Sequence, residues 1–179
     1  FYDSINRLMS YKPKTRIAIN GFGRIGRYTA KLLIENPDFE LIAINDLADD
    51  KAIAHLLKYD SIHGKLDLEI SVNQSILNVG DQKIKLLSQS SPDKLPWKEL
   101  DIDVVIESTG RFTDRENAEK HLHAGAKKVI ISAPSQDPGI KMVVLGVNDS
   151  ILTGEEKIIS NASCTTNCLA PMAKVIDDL

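Results

Sequence analysis

A glycine-rich segment, residues 21–26 (GFGRIG), constrains the fold of this chain more than any other part of its sequence. It follows an apolar run that predicts a buried strand over residues 16–20, and it opens a stretch of helical periodicity over residues 24–35. In such a strand-loop-helix unit the first glycine permits a tight turn, the second lets a phosphate approach the backbone, and the third lets helix and strand pack closely. Free N–H groups at the positive end of the helix would hold the phosphates, so the segment predicts a phosphate-binding loop.

Beyond the glycine segment, short apolar runs keep alternating with stretches of helical spacing, which is typical of βαβ units. The pattern predicts further strands over residues 39–45, 103–107, 128–132, 142–145 and 157–160, and further helices over residues 49–59, 114–124 and 164–179. Between residues 66 and 88 polar and apolar residues alternate around a turn at 79–82, which predicts inserted antiparallel strands. We therefore expect an α/β fold: a Rossmann-like, doubly wound and mostly parallel sheet with a small antiparallel insertion.

The first predicted helix carries its large apolar side chains at helical spacing. Ile25, Tyr28, Leu32 and Leu33 share one face of residues 24–35, and we expect that face to be buried.

An acidic residue, Asp46, closes the second predicted strand at the spacing from Gly26 that is typical of dinucleotide-binding units. A carboxylate there would accept hydrogen bonds from an adenosine ribose and would repel a 2′-phosphate, so the pattern favours NAD over NADP. Leu47 offers no positive charge to reverse that preference, although Arg24 or Lys51 could do so in a rearranged loop. The alternative is a tight turn whose glycines serve packing alone.

Polar residues also follow two other buried strands. Ser108, Thr109 and Gly110 come after the strand over 103–107, and Ser132 ends the strand over 128–132. Because the carboxyl ends of parallel strands line the ligand crevice, we expect the residues at the ends of both strands to contact the cofactor. Helix capping and turn formation explain the same residue types, and the role of Arg111 stays open.

Two cysteines lie in one segment, residues 160–168 (SNASCTTNC), which follows a strand and enters the last helix. Cys164 falls at or next to the helix N-terminus, where the dipole favours the nucleophilic thiolate and free N–H groups could hold an oxyanion. A buried structural thiol is the alternative for Cys164, and core packing is expected for Cys168. We expect no metal site, because no histidine lies nearby in the sequence. None of the histidines stands out as a catalytic base: His55, His63, His121 and His123.

Charge and composition argue against several classes of partner. The 22 basic and 25 acidic residues give a net charge of −3, and no run of Lys or Arg is long enough to follow a nucleic-acid backbone or an anionic membrane. The apolar runs fall far short of the ~20 residues that a membrane-spanning helix needs. We therefore expect neither a nucleic-acid nor a membrane partner. Two cysteines so close together cannot link distant parts of the fold, which favours a reducing, cytoplasmic compartment.

Four segments together resemble phosphorylating glyceraldehyde-3-phosphate dehydrogenase: residues 19–27 (INGFGRIGR), 57–64 (LKYDSIHG), 107–110 (ESTG) and 160–168. The resemblance runs from about residue 15 to residue 179, and the cysteine motif is shared with erythrose-4-phosphate dehydrogenase. It implies NAD as cofactor, with Arg24 and Ile25 against its pyrophosphate, Asp46 on the adenosine ribose, Ser90 near the adenine and Ser132 on the nicotinamide side.

The resemblance also implies a substrate and a mechanism. Ser163, Cys164 and Thr165 would form the triose and phosphate contacts, with Cys164 as the nucleophile that gives a thiohemiacetal and then a thioester. The substrates would be glyceraldehyde 3-phosphate and inorganic phosphate, used in glycolysis by a cytoplasmic homotetramer.

The resemblance further divides the chain into an N-terminal extension (1–13, with Ile5, Leu8 and Met9 on one face), an NAD-binding domain (14–162) and the first helix of a catalytic domain (163–179). In the family, the histidine that activates the thiol comes from a later segment. We therefore expect these residues to bind NAD without turnover. The alternatives are an isolated NAD-binding or oligomerisation module, and erythrose-4-phosphate dehydrogenase.

Overall fold

The computed structural model describes residues 13–179, so nearly all of the predicted extension, with Ile5, Leu8 and Met9, lies outside the described residues. The helices are α1 (Arg24–Glu35), α2 (Asp50–Lys58), α3 (Arg115–His123) and α4 (Cys164–Asp177). The strands are β1 (Thr15–Asn20), β2 (Phe39–Asn45), β3 (Tyr59–Asp60), β4 (Gly64–Lys65), β5 (Ile70–Asn73), β6 (Ile76–Val79), β7 (Gln82–Leu87), β8 (Val104–Glu107), β9 (Lys128–Ile131), β10 (Lys141–Met142) and β11 (Ile158–Ser160).

A nine-stranded sheet forms the centre of the fold, in the order β10-β11-β9-β8-β1-β2-β7-β6-β5. Its neighbours are parallel from β10 through β7, and β5, β6 and β7 are joined as antiparallel hairpins. A separate two-stranded sheet pairs β3 with β4. The predicted α/β fold, a doubly wound and mostly parallel sheet with an antiparallel insertion, is therefore confirmed.

The central strands are apolar because the sheet is covered on both faces. Ile17, Ala18 and Ile19 of β1 are all buried, with Ile17 and Ile19 in the core cluster beneath α1 and Ala18 in the opposite cluster around Trp97. Alternate residues of a strand point to opposite faces of the sheet. A strand that is covered on both faces therefore has a continuous apolar sequence.

Aspartates begin the two middle helices. The Asp49 side chain accepts hydrogen bonds from the N–H groups of Lys51 and Ala52, and Asp114 accepts one from Asn117. These contacts satisfy N–H groups that have no partner inside a helix, which is why the helices start where they do.

The buried face of α1 differs from the predicted one. Leu33 is buried as predicted, but Ile25, Tyr28 and Leu32 are exposed, and Ala30 and Ile34 are buried instead. The cause is Gly26, whose missing side chain lets α1 approach the carbonyl of Gly21 so closely that any Cβ would overlap it. That contact turns the positions at Gly26, Ala30 and Leu33 towards the sheet and leaves the opposite face to solvent.

Two predicted boundaries were also wrong. The strand expected over residues 142–145 covers Lys141–Met142, because the Asn148 side chain accepts a hydrogen bond from Val144 N at 2.8 Å and the chain turns there. The helix expected over residues 49–59 ends at Lys58, and Tyr59 pairs with Lys65 in the small sheet instead.

Candidate functional site

The loops that carry the predicted site residues all leave the same edge of the sheet. Strands β1, β2, β8, β9 and β11 are parallel, so their carboxyl ends lie together. The glycine loop follows β1, Asp46 follows β2, Ser108 follows β8, and the cysteine segment follows β11. After β1 the chain builds β2 and β7 on one side and later β8, β9 and β11 on the other, which makes the β1/β8 boundary a topological switch point.

The glycine loop combines two packing glycines with one that faces open space. A Cβ on Gly21, whose φ is +94°, would lie 2.6 Å from Thr109 N, and a Cβ on Gly26 would overlap Gly21 O. Apart from its neighbours along the chain, Gly23 has no residue within 4 Å of its Cβ position. It is also the N-cap of α1, with no side-chain hydrogen bond to the helix and no acidic residue in the first turn. The loop therefore leaves free N–H groups and space for a phosphate.

Asp46 is fixed against the glycine loop. Its Oδ2 accepts a hydrogen bond from Phe22 N at 2.6 Å, and its Oδ1 accepts one from Ala48 N at 2.9 Å. Each carboxylate oxygen can accept a further bond, so this half-buried side chain both shapes the loop and offers acceptors to a ligand.

A cleft of about 290 Å³ opens at this point of the sheet edge, and we call it the edge cleft. Of the predicted cofactor residues it brings together Gly21, Gly23, Asp46, Ser90, Ser108 and Thr109. Arg24, Ile25, Gly26, Gly110 and Ser132 are not among its lining residues. Arg24 and Ile25 lie exposed in the first turn of α1, and Ser132 follows β9, where its N–H donates to Glu107 O at 2.9 Å.

Sequence reasoning gave no binding role to several residues of the edge cleft: Asn20, Asn45, Leu47, Gln89, Arg111 and Phe112. Asn20 and Asn45 end β1 and β2, and the other four lie in the loops after β2, β7 and β8. Position after a strand was the signal that could have found those four. The Arg111 guanidinium lies 5.9 Å from the centre of the Phe112 ring.

Beneath the edge cleft lies a buried polar cluster centred on Glu107, which is 1% exposed. Oε2 of Glu107 accepts hydrogen bonds from Asn20 Nδ2 at 2.6 Å and from His121 Nε2 at 3.0 Å. Oε1 accepts bonds from both N and Oγ1 of Thr109, the N–H at 2.8 Å. The carboxylate therefore ties the floor of the cleft to helix α3.

Trp97 and Asn45 complete this cluster. Trp97 Nε1 donates to His121 Nδ1 at 2.9 Å, so Nδ1 is the acceptor and the ring proton sits on Nε2, facing Glu107. Asn45 Nδ2 donates to Asn20 Oδ1 at 2.7 Å. We call these residues the Glu107 network: Asn20, Asn45, Trp97, Glu107, Thr109 and His121. Because each of its polar groups has a partner, the network fixes the relative positions of the loops after β1, β2 and β8.

The cysteine segment lies further along the same edge. Cys164 is the exposed first residue of α4, and the N-cap Ser163 accepts a hydrogen bond from Thr166 N at 3.0 Å. Two strands, β9 and β8, separate β11 from β1, so at about 4.8 Å per strand the segment starts roughly 14 Å from the glycine loop. Ser163, Cys164 and Thr165 stand together there, apart from the lining of the edge cleft.

Cys168 does not pack in the core as predicted. It is exposed, and no residue of α4 is buried within the described part of the chain. Leu169, Met172, Val175 and Ile176 of the same helix are exposed as well. These four residues are three or four positions apart and so share one face of α4, and no described element packs against that face.

A second polar group lies at the β3/β4 turn, away from the edge cleft. His63 stacks on Tyr28 and lies 3.3 Å from Asp60 through Nδ1. The backbone N–H groups of His63 and Ile62 donate to Asp60 and lower its pKa to about 2. Within residues 13–179 no group of three or more His, Cys, Asp or Glu side chains is placed to hold a metal ion.

Comparison with known proteins gives the family. Residues 15–115 match the profile described as "Glyceraldehyde 3-phosphate dehydrogenase, NAD binding domain". The chain belongs to the glyceraldehyde-3-phosphate dehydrogenase family. Its cofactor is therefore NAD, as the glycine loop and Asp46 predict, and the open Gly23 position with the uncapped α1 N-terminus fits the phosphates of such a ligand.

Relatives in this family match over most of the chain. Glyceraldehyde-3-phosphate dehydrogenase of Geobacillus stearothermophilus is 54% identical over 164 residues, which cover 91% of this chain and 49% of that protein. The Thermotoga maritima enzyme is 53% identical over 165 residues, covering 91% of this chain and 49% of the relative. The Mycoplasma pneumoniae enzyme is 51% identical over 170 residues, covering 94% and 50%. The chain thus spans about half the length of the curated relatives it matches. Across residues 13–179, none of the helices is long and apolar enough to cross a membrane.

Proposed function

We propose that this chain takes part in the NAD-dependent oxidative phosphorylation of D-glyceraldehyde 3-phosphate to 1,3-bisphosphoglycerate, the glycolytic reaction. The observation that carries the proposal is the exposed Cys164 at the N-terminus of α4, on the same sheet edge as the edge cleft. The relatives named above carry the name of this dehydrogenase and support the same substrate.

The adenosine half of NAD is assigned to the part of the edge cleft beside β2. Asp46 would accept hydrogen bonds from the ribose hydroxyls, because it is held in place by Phe22 N and retains acceptor capacity. Ser90 would lie near the adenine, with Leu47 and Phe112 as the apolar surfaces that contact the ring. A 2′-phosphate would meet the Asp46 carboxylate, which favours NAD over NADP.

The pyrophosphate is assigned to the N-terminus of α1. Arg24 and Ile25 contribute the first turn of the helix next to the open Gly23, and both are exposed there. From this point the cofactor would extend past Ser108, Thr109 and Gly110 and reach Ser132 on the nicotinamide side. Ser132 follows β9, which lies between the edge cleft and the cysteine segment.

Cys164 is proposed as the nucleophile. Its thiolate adds to the aldehyde carbon, and the carbonyl oxygen, now negative, is held by free N–H groups at the start of α4. A bound NAD would supply the acceptor for the hydride of this carbon, and loss of that hydride would convert the thiohemiacetal on Cys164 into a thioester. An oxygen of inorganic phosphate then attacks the thioester carbon, and the Cys164 thiolate leaves. Ser163 and Thr165, on either side of Cys164, are proposed to bind the phosphate groups.

We further propose that residues 14–162 act as the NAD-binding domain, that residues 163–179 begin the catalytic domain, and that the working protein is a cytoplasmic homotetramer. In the family the activating histidine follows the cysteine helix. The four histidines of this sequence all precede it, and His121 is engaged in the Glu107 network. The 179 residues by themselves should therefore bind NAD without turnover.

Two measurements test the proposal. In the first, iodoacetamide labelling at neutral pH is followed by mass spectrometry for the parent, Cys164→Ser and Cys168→Ser. Loss of fast labelling in Cys164→Ser alone supports the nucleophile, whereas its loss in Cys168→Ser alone overturns it.

In the second, NADH formation from glyceraldehyde 3-phosphate and phosphate is followed for the chain alone and for the chain completed with the second half of a relative. Turnover only in the completed protein supports the proposal, and no turnover in either leaves the alternative of an NAD-binding module. Faster turnover of erythrose 4-phosphate would favour the neighbouring dehydrogenase.

A further inference from the structure

The loop in front of Cys164 holds a residue in an unfavourable backbone conformation. Ala162, between β11 and α4, has φ +55° and is buried. A residue with a Cβ seldom adopts this left-handed region, because the Cβ comes too close to the neighbouring carbonyl oxygen. The conformation therefore has to be maintained by contacts around it.

Asn167 supplies those contacts from inside α4. Its Nδ2 donates to Asn161 O at 2.7 Å and to Ser163 O at 3.0 Å, which are the carbonyl groups on the two sides of Ala162. Both acceptors are carbonyl oxygens, so only the amide nitrogen can make the two contacts. One side chain thus joins both ends of the strained residue to the first turn of α4.

The other side of the loop is fixed to the sheet. Ala162 N donates to Ser160 Oγ at 3.0 Å, and Ser160 Oγ donates to Ala133 O at 2.6 Å. Ser160 therefore anchors the amino end of the loop, and Asn167 is the contact that connects it to the helix bearing Cys164.

The helix pattern itself is incomplete at Asn167. Pro171 lies inside α4, four residues later, and has no N–H to donate to the carbonyl of Asn167. The first turn of α4 thus lacks one of the backbone hydrogen bonds that would stabilise it. The side-chain contacts of Asn167 therefore contribute more to keeping this turn in place.

We propose that Asn167 is a positioning residue: through the carbonyl groups of Asn161 and Ser163 it holds Ala162 in the left-handed conformation that presents the Cys164 thiol at the start of α4. The proposal rests on the proposed function of Cys164 as nucleophile. It predicts that loss of the Asn167 amide lowers the reactivity of a thiol to which Asn167 donates no hydrogen bond, because its Nδ2 bonds go to Asn161 O and Ser163 O. It also predicts that relief of the strain at Ala162 makes the amide dispensable.

The test measures the second-order rate of Cys164 alkylation by iodoacetamide in a Cys168→Ser background. Asn167→Leu keeps the branched outline of the side chain and removes both donated hydrogen bonds. We expect it to react about tenfold more slowly, because the left-handed conformation is disfavoured by about that factor for alanine. Ala162→Gly alone should react at the parent rate, since glycine adopts this conformation freely. The double variant Ala162→Gly/Asn167→Leu should recover to within about threefold of the parent.

Controls separate this role from general destabilisation. Lys174→Ala lies on the same helix, away from the loop, and should leave the rate unchanged. NAD affinity and the urea midpoint of each variant verify that the sheet is folded. If Asn167 only stabilises the fold, Asn167→Leu lowers the urea midpoint. In that case glycine at position 162 in the double variant does not restore the alkylation rate.

Two results overturn the inference: an Asn167→Leu rate equal to the parent rate, or no recovery in the double variant. Failure of the proposed function looks different. In that case Cys164 of the parent is alkylated no faster than Cys168 is in the Cys164→Ser protein. The ratio of the alkylation rates of Asn167→Leu and the parent still shows whether Asn167 positions the loop.

Discussion

Replacement of Glu107 by glutamine tests whether the Glu107 network is satisfied in the way its geometry indicates. The change keeps the shape of the side chain but turns one acceptor oxygen into an NH₂ donor. The carboxylate receives hydrogen bonds from Asn20 Nδ2, His121 Nε2, and N and Oγ1 of Thr109. Every neighbour is a donor, so an NH₂ group in either position faces two other donors.

No local rearrangement accommodates the glutamine without loss. An NH₂ placed towards Thr109 can donate to a rotated hydroxyl, but the Thr109 N–H then has no acceptor. An NH₂ placed towards His121 would require the other tautomer, which would turn Nδ1–H against the N–H of Trp97. A flipped Asn20 amide would meet the Asn45 Nδ2 that now donates to it. Each alternative moves the mismatch to another buried group.

The expected loss follows from these contacts. A buried donor left without a partner costs about 1–3 kcal/mol, and hydrogen bonds to a charged group contribute about 1.5–3 kcal/mol each. We expect Glu107→Gln to lower the free energy of unfolding by roughly 2–4 kcal/mol, a large share of the 5–15 kcal/mol of an ordinary domain. NAD affinity should fall as well, because Thr109 lines the edge cleft and contacts Gly21.

Urea denaturation of Glu107→Gln beside Glu119→Gln measures the effect. Glu119 undergoes the same chemical change on the surface, in an ion pair with Arg115 at 3.5 Å, and should lose less than about 0.5 kcal/mol. If the free energy of unfolding of Glu107→Gln lies within about 1 kcal/mol of the parent value, one Glu107 oxygen already acts as a donor in the parent. The described hydrogen-bond pattern is then incorrect.

Three further predictions concern the glycine loop, the ribose contact and the β3/β4 turn. Gly26→Ala should destabilise the fold strongly because its Cβ would overlap Gly21 O, whereas Gly23→Ala, in open space, should weaken NAD binding with little change in the urea midpoint. Asp46→Ala should weaken NAD binding and reduce the preference for NAD over NADP, both measured by calorimetric titration. Unchanged affinities for both cofactors would show that Asp46 does not bind the ribose. The N–H groups of His63 and Ile62 lower the pKa of Asp60 from 3.8 to about 2, so its contribution to stability is complete above pH 3.8 and is lost as the pH falls towards 2. The midpoint of thermal unfolding of Asp60→Asn should therefore change less with pH than that of the parent between pH 3.8 and 2. Equal changes of the two midpoints with pH would contradict the lowered pKa of Asp60.

Much of the fold could be predicted because its signals are local. Alternation of apolar runs and helical spacing predicts the order of strands and helices, and the glycine spacing with Asp46 predicts the dinucleotide site. These features depend on residues close together in the chain, where periodicity and turn chemistry determine the backbone. The position of Cys164 at the start of α4 belongs to the same class.

Other features depend on contacts between distant segments, and only the tertiary structure decided them. The buried face of α1 is set by the approach of Gly26 to Gly21 O, which helical spacing does not encode. The Glu107 network joins strand ends and α3 from distant parts of the chain; Asn20 and Glu107, for example, are 87 positions apart. Polar residues at the ends of apolar runs look alike in sequence, whether they meet solvent or one another. The sheet order brings them together, and burial then requires that each find a partner, which is why their roles emerge only in the folded chain.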